Sequence, residues 1–218
     1  MVDVVRRRGA RARGRAAERH QPLADVAAQY ASMGWPVCTG AHPYRSMELG
    51  RACSCDRVGC PAPGAHPVSP AWQMQATVDL NVIDTWWKAR PEANVILVTG
   101  RVFDVLDVPL AAGALALERM EAAGVQVGPV AAPGQDRMLF FVVTRSPADE
   151  DEWWSCGLDC EPESVVAGLR WHCRDSYVLA PPSRYADGRA ARWLRSPQEH
   201  PLPDALRPLE YLVDACES

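Results

Sequence analysis

Three cysteines and a histidine lie within fourteen residues of this sequence, at Cys53, Cys55, Cys60 and His66. Thiolates and an imidazole are the ligands that Zn²⁺ takes in tetrahedral structural sites. The surrounding segment 39–70 is rich in Pro and Gly and lacks helical or strand periodicity, and a loop of that length needs something to hold it together. We therefore predict a structural zinc site, whose four protein ligands leave no position for a catalytic water.

The spacing of these ligands leaves alternatives open. Cys38 and His42 precede the cluster, and either could replace one ligand. Reduced cysteines in an exposed loop are the alternative to metal binding, although free cysteines are usually buried. The other four cysteines have no partner at ligand spacing: Cys156, Cys160, Cys173 and Cys216.

A second chemical feature is the N-terminal segment 1–21, which we predict to be a disordered basic arm. Six of its seven arginines are the candidates for contacts with nucleic-acid phosphates: Arg6, Arg7, Arg8, Arg11, Arg13 and Arg15. The chain as a whole has a net charge of −4, so we expect such binding to be weak and salt-dependent. Alternatively, the segment before Met33 only aids solubility or precedes the true start.

Neither the arm nor any other segment has the features of an export signal or a membrane span. No apolar stretch follows the arginines, and no apolar run reaches the roughly 18 residues that a membrane helix needs. We expect a cytoplasmic protein without a membrane partner, whose compartment keeps cysteines reduced.

Hydrophobic periodicity predicts the elements that must position these residues. Apolar spacing predicts helices over 22–33, 79–89, 109–123 and 208–216. Short apolar runs predict strands over 35–38, 94–100, 102–108, 138–143 and 176–183. This order predicts an α+β domain over 22–218, with a mixed β-sheet, flanking helices and the zinc-stabilised insertion 39–70.

Three stretches in this order carry a resemblance to a known family. They read "WWKARPEANVILVTG" at 86–100, "VLDV" at 105–108 and "YVLAPPS" at 177–183. From Leu23 to Trp193 the chain resembles the N-terminal domain of bifunctional DNA primase/polymerases (prim-pol), and the cysteine loop resembles an insertion seen in that family. The resemblance implies a prim-pol fold and nucleotidyl transfer with two Mg²⁺ or Mn²⁺ ions held by carboxylates.

The chain departs from the family pattern at each catalytic motif. Asp107 matches the first carboxylate of the Asp-x-Asp motif, but Pro109 stands at the second. Met138 stands at the expected nucleotide-binding His, with Arg137 beside it. Arg170 and His172 occupy the third motif, where the family has Asp and then Arg. Because one carboxylate cannot hold two divalent ions, we expect a degenerate site without catalytic Mg²⁺ or Mn²⁺.

Three functions remain open from the sequence. The favoured one is a non-catalytic prim-pol-like module that binds nucleic acid, a nucleotide or a protein partner. The second is an active primase or polymerase with an altered metal site, in which Asp104 or Asp175 would supply a ligand. The third is a zinc-stabilised interaction or regulatory protein. The sequence does not predict a hydrolase, because a nearby His–Asp signature is lacking for Ser155, Ser176 and Ser183.

Overall fold

The computed structural model describes residues 21–46, 50–55, 57–134, 136–145 and 166–218. Five helices lie in this part of the chain: α1 (Leu23–Ser32), α2 (Trp72–Gln75), α3 (Leu80–Ala89), α4 (Leu110–Ala122) and α5 (Leu206–Glu217). The strands are β1 (Val37–Gly40), β2 (Pro43–Ser46), β3 (Gly50–Cys53), β4 (Asn94–Val98), β5 (Phe103–Pro109), β6 (Val130–Ala132), β7 (Arg137–Val143), β8 (Arg170–His172), β9 (Tyr177–Leu179) and β10 (Arg192–Arg195).

The strands form two main sheets and a hairpin. The first sheet has the order β1-β4-β9 and the second β10-β6-β7-β5-β8, while β2 pairs with β3. The predicted α+β class is confirmed. In place of one mixed sheet, every strand pair in the described part is antiparallel. Where consecutive strands pair, as β2 with β3 and β6 with β7, the connection is too short for a parallel crossover.

Strand alternation in β5 divides the interior into layers. Phe103 and Val105 face a cluster shared with α1, α3 and the first sheet. Leu106 and Val108 face the opposite side, against α4 and α5. Both faces of β5 are therefore covered, which explains why its sequence reads as an almost continuous apolar run. The far face of the first sheet carries a smaller cluster around Ile96.

Local signals fix several element ends. The Asp79 side chain accepts hydrogen bonds from the N–H groups of Asn81 and Val82, which caps the start of α3. Pro109 is the cap residue before α4 instead of its first residue. The strand predicted over 176–183 ends at Leu179, because Pro181 and Pro182 have no N–H to offer a ladder.

The segment 39–70 contains more regular structure than its sequence predicts. Within it, β2 and β3 pair antiparallel, in a register that places Pro43 opposite Cys53. Four-residue strands are too short to leave a readable period, and the same is true of β6, β8 and β10. None of the helices in the described ranges has the length and apolar character to cross a bilayer.

Candidate functional site

The four predicted metal ligands meet at one point. The ligand atoms of Cys53, Cys55, Cys60 and His66 all lie within 4.8 Å of one another. Nε2 of His66 is 3.4 Å from Sγ of Cys53 and 3.4 Å from Sγ of Cys60. These separations match ligands placed tetrahedrally around one ion at bond lengths of about 2.0–2.3 Å. The cluster could bind a metal ion, and its three-sulfur, one-nitrogen donor set fits Zn²⁺.

Backbone groups orient two of the four ligands. Nδ1 of His66 lies 2.8 Å from the Pro67 carbonyl oxygen, so that Nδ1–H donates there and the Nε2 lone pair faces the cysteines. The Gly64 N–H donates to Sγ of Cys53 at 3.4 Å. Gly64 has a φ of +81°, and a Cβ there would lie 2.6 Å from the ring of Pro43. Glycine is therefore required at this position.

Cys38 and His42 do not belong to this group of four. Cys38 is 4% exposed and packs in the cluster around Ile96, where burial raises the pKa of its thiol to about 12. The ring of His42 lies beside that of Tyr44. The described cysteines form no disulfide, Cys173 is buried and Cys216 half-buried, whereas Cys156 and Cys160 lie outside the described residues.

A cleft of about 550 Å³ opens between β9 and the second sheet. Strand β5 contributes Asp107 to it, and β8 contributes Arg170 and His172. Ala65, next to the metal ligand His66, lies at another wall. The remaining lining residues include polar groups and apolar surfaces: Pro133, Gly134, Asp136, Arg137, Leu139, Ser176, Tyr177, Val178, Leu179, Tyr185, Asp187 and Arg189.

Asp107 is the central acidic group of this cleft, and the side chains of Arg137 and His172 contact it. Nε of Arg137 donates to Oδ1 of Asp107 at 2.7 Å, and the same guanidinium donates to the Asp107 carbonyl at 2.8 Å. Nε2 of His172 lies 3.4 Å from Oδ2. Burial alone would raise the pKa of the Asp107 carboxyl, but hydrogen bonds from His172 and Arg137 and the Arg137 charge outweigh it and lower that pKa.

The register of β8 explains which of its side chains reach the cleft. Asp107 pairs with Arg170, and Leu106 pairs with Trp171. Arg170 and His172 therefore share the face of Asp107, while Trp171 is fully buried on the other face. Within the described part of the chain, the Arg170 side chain makes no hydrogen bond or ion pair. Its guanidinium is therefore available to bind an anionic ligand in the cleft.

Two of the pocket positions predicted from the sequence, Met138 and Pro109, do not line the cleft. Met138 pairs with Val108 and packs in the core, where a Cβ on Gly113 of α4 would be 2.6 Å from its Sδ. Its side chain does not line the cleft, because strand alternation turns it away and brings Arg137 to the Asp107 side. Pro109 follows Asp107 on the same face but offers no ligand atom from its side chain.

The alternative carboxylates also lie away from the cleft. Asp104 is fully buried on the opposite face of β5 and accepts hydrogen bonds from Thr144, the Arg145 N–H and Trp171. Its desolvation raises the pKa of the carboxyl. Asp175 is exposed in the turn after β8, with a φ of 60°. Neither lines the cleft that contains Asp107.

Ser176 also lines the cleft, and the sequence indicated no chemical role for it. Its Oγ lies 2.9 Å from Nδ1 of His172, whose other ring nitrogen faces Asp107. The three residues are brought together by the β8–β9 turn and by the pairing of β8 with β5. The spacing of His172 and Ser176 across a tight turn was the available signal, but Asp107 is contributed from a distant strand.

Asn94 connects the metal cluster to the cleft. Its side chain is 1% exposed, and its Nδ2 donates to the carbonyls of Gly64 at 2.7 Å and Arg184 at 2.8 Å. Its Oδ1 accepts the Arg184 N–H at 3.0 Å. Gly64 lies between two metal ligands, while Arg184 begins the turn whose Tyr185 and Arg189 line the cleft. One buried amide therefore positions both segments.

The family model described as "Bifunctional DNA primase/polymerase, N-terminal" matches residues 27–208, most of the chain. The chain belongs to the prim-pol family. A search of curated proteins found no match. Family membership associates this prim-pol chain with a DNA primase- or polymerase-like role and with nucleic acid as an interaction partner. The six arginines of the predicted arm, Arg6 to Arg15, lie outside the described residues.

Proposed function

We propose that this prim-pol chain binds a nucleotide, free or within a single strand, in the Asp107 cleft and does not catalyse nucleotidyl transfer. The observation that carries the proposal is the surroundings of Asp107. Its carboxylate is already paired with Arg137 and faces His172, and Arg170 lies opposite it in the strand register.

The donor set of the cleft is a poor fit for two divalent cations. Of the three carboxylates that line it in the described part of the chain, Asp107 pairs with Arg137 and Asp187 with Arg189, which leaves the exposed Asp136. Mg²⁺ and Mn²⁺ prefer anionic oxygen ligands, and two such ions about 4 Å apart need several carboxylates to offset their repulsion. At this end of the strand, Asp107 is followed by Pro109 instead of a second carboxylate, and Arg137 and Arg170 add positive charge. These groups give no support for a catalytic step through the two metals.

The same groups favour an anion without metal ions. The guanidinium of Arg170, which has no partner among the described residues, presents several donors in the geometry that a phosphate accepts. Tyr177 and Tyr185 supply aromatic surface within the cleft, on which a base can stack. Asp187 adds negative charge to the cleft and already pairs with Arg189, so that arginine is engaged and does not add to the charge available for an anionic ligand. The cleft therefore suits one phosphate group better than a triphosphate.

Two measurements test this proposal. Primer synthesis and extension assays with Mg²⁺ or Mn²⁺ should show no incorporation, and calorimetry with nucleoside monophosphates, in buffer without chelator or added divalent cations, should show binding. Arg170→Ala should weaken that binding roughly 10- to 100-fold, the loss of a charge-assisted hydrogen bond of about 1.5–3 kcal/mol. Arg119→Ala, on the exposed side of α4, is the matched control. Incorporation that disappears in Asp107→Ala would instead establish an active polymerase.

The metal of the Cys/His cluster is proposed to be a structural Zn²⁺. Three thiolates and an imidazole complete a tetrahedral shell, so that the ion would stabilise segment 39–70 and the cleft wall at Ala65. The arginine arm, 1–21, is proposed to add non-specific, salt-dependent contacts to nucleic-acid phosphates. We place the protein in the cytoplasm as part of the same proposal.

A further inference from the structure

Ser176, His172 and Asp107 form a continuous hydrogen-bonded series in the cleft. The Ser176 Oγ is 2.9 Å from Nδ1 of His172, and Nε2 of His172 is 3.4 Å from Oδ2 of Asp107. The tautomer with a proton on Nε2 satisfies both contacts, because Nε2–H then donates to Asp107 and Nδ1 accepts the Ser176 hydroxyl. Serine, imidazole and carboxylate in this order are the parts of a serine hydrolase relay.

Two features hold the relay in place. The Thr99 N–H donates to the Ser176 carbonyl at 3.1 Å, and the Thr99 hydroxyl donates to the Cys173 carbonyl at 2.5 Å. Gly100 then lies so close to the β8–β9 turn that a Cβ would be 2.3 Å from Cα of Arg174. At the other end, Arg137 fixes the carboxylate of Asp107. The backbone of the turn and the carboxylate of Asp107 are thus held by contacts within the protein.

A backbone donor for a developing oxyanion is available beside the serine. Strand β9 is the outer strand of the first sheet, and Ser176 and Ala180 direct their backbone bonds toward β4. Because successive strand residues point to opposite edges, the N–H of Tyr177 points away from β4, and both Ser176 and Tyr177 line the cleft. The N–H of the residue after the nucleophile is the donor that α/β-hydrolases also use.

We propose that Ser176 is the nucleophile of a carboxylic-ester hydrolase site, with His172 as general base and Asp107 as the residue that positions it. The cleft volume of about 550 Å³ admits a small-molecule ester, and Leu139 and Leu179 offer it apolar surface. This inference goes beyond nucleotide binding, and its nucleophile, Ser176, is not the proposed phosphate ligand: Arg170 can fail as a phosphate ligand while Ser176 still reacts.

The reaction balances without an added cofactor. Ser176 Oγ bonds to the ester carbonyl carbon as its proton passes to Nδ1 of His172, and the carbonyl electron pair moves onto oxygen near the Tyr177 N–H. Collapse breaks the bond to the leaving oxygen, which takes the proton from His172 and departs as the alcohol. Water then attacks the acyl-serine with His172 again accepting a proton, which returns to Ser176 Oγ as the carboxylic acid leaves.

The test combines covalent labelling with ester hydrolysis by the full chain. A fluorophosphonate should modify Ser176, with loss of fluoride and a mass shift on its peptide, and leave the exposed Ser32 unmodified. p-Nitrophenyl acetate should be hydrolysed with a burst, which Ser176→Ala abolishes. His172→Ala should slow labelling at least about 100-fold, the usual contribution of a general base.

Folding controls keep the outcomes interpretable. Each variant should show the wild-type circular dichroism spectrum, and Ser32→Ala, on the exposed face of α1, should match the wild type in both assays. Labelling of Ser176 that is no faster than that of Ser32, or that does not depend on His172, overturns the proposal. Ester hydrolysis that persists in Ser176→Ala overturns it as well, whatever the result of the nucleotide-binding experiment.

Discussion

Replacing Asn94 with alanine should destabilise the protein by about 3 kcal/mol. The side chain makes three hydrogen bonds, two donated to the carbonyls of Gly64 and Arg184 and one accepted from the Arg184 N–H. Each such bond contributes about 1 kcal/mol net, and the Gly64 carbonyl that loses its partner is buried. For a chain of this size that loss lowers the melting temperature by about 6–12 °C.

The assay is urea or thermal unfolding of Asn94→Ala, Asn94→Asp and the exposed-helix control Asn81→Ala. The free energy of unfolding of Asn94→Asp should be at least about 1 kcal/mol lower than that of Asn94→Ala. The carboxylate places an acceptor where the amide donates, within 2.8 Å of two carbonyl oxygens. Asn81→Ala should stay within about 0.5 kcal/mol of the wild type. A loss below about 1 kcal/mol for Asn94→Ala, or an aspartate variant no worse than it, would refute the role assigned to this amide.

Two further predictions concern the metal cluster and the acid response. Elemental analysis of protein purified under reducing conditions should find about one Zn²⁺ per chain, and Cys60→Ser should reduce it; protein without metal would contradict the zinc assignment. The pKa of the Asp107 carboxyl is lower in the folded chain than its unfolded value near 3.9. The ion pair therefore stabilises the fold at pH values above the unfolded pKa, and this stabilisation is lost as the pH falls through the folded pKa. Urea midpoints between pH 7 and pH 3 should therefore fall less steeply in Asp107→Asn than in the wild type, and equal slopes would contradict this.

The metal cluster could be predicted from the sequence because its ligands are close along the chain. Cys53 to His66 span a single loop, and thiolate and imidazole chemistry restricts what such a group binds. The main helices and long strands were equally accessible, since apolar period and length identify α3, β5 and α4. Strands of three or four residues such as β6 and β8 were not, because so few residues show no period.

The cleft required distant strands to be placed in register. Nothing local to Asp107 indicates that Arg137 and His172 approach it, since these contacts depend on the pairing of β5 with β7 and β8. The sequence placed Met138 at the pocket, and strand alternation gives that face to Arg137 instead. The Ser176–His172–Asp107 contacts depend on the same pairings, which explains why the sequence showed no hydrolase signature.

The position of Asn94 also has a consequence for the order in which the chain acquires its structure. The amide joins Gly64 to Arg184, partners that lie 30 and 90 residues away from it along the chain. A growing polypeptide therefore cannot complete this junction until β9 and the turn after it have been synthesised. Contacts between residues so far apart form slowly, because a long loop must close before they contribute. We expect the cleft to be among the last parts to consolidate during synthesis, and an interrupted chain that ends before Arg184 to lack it.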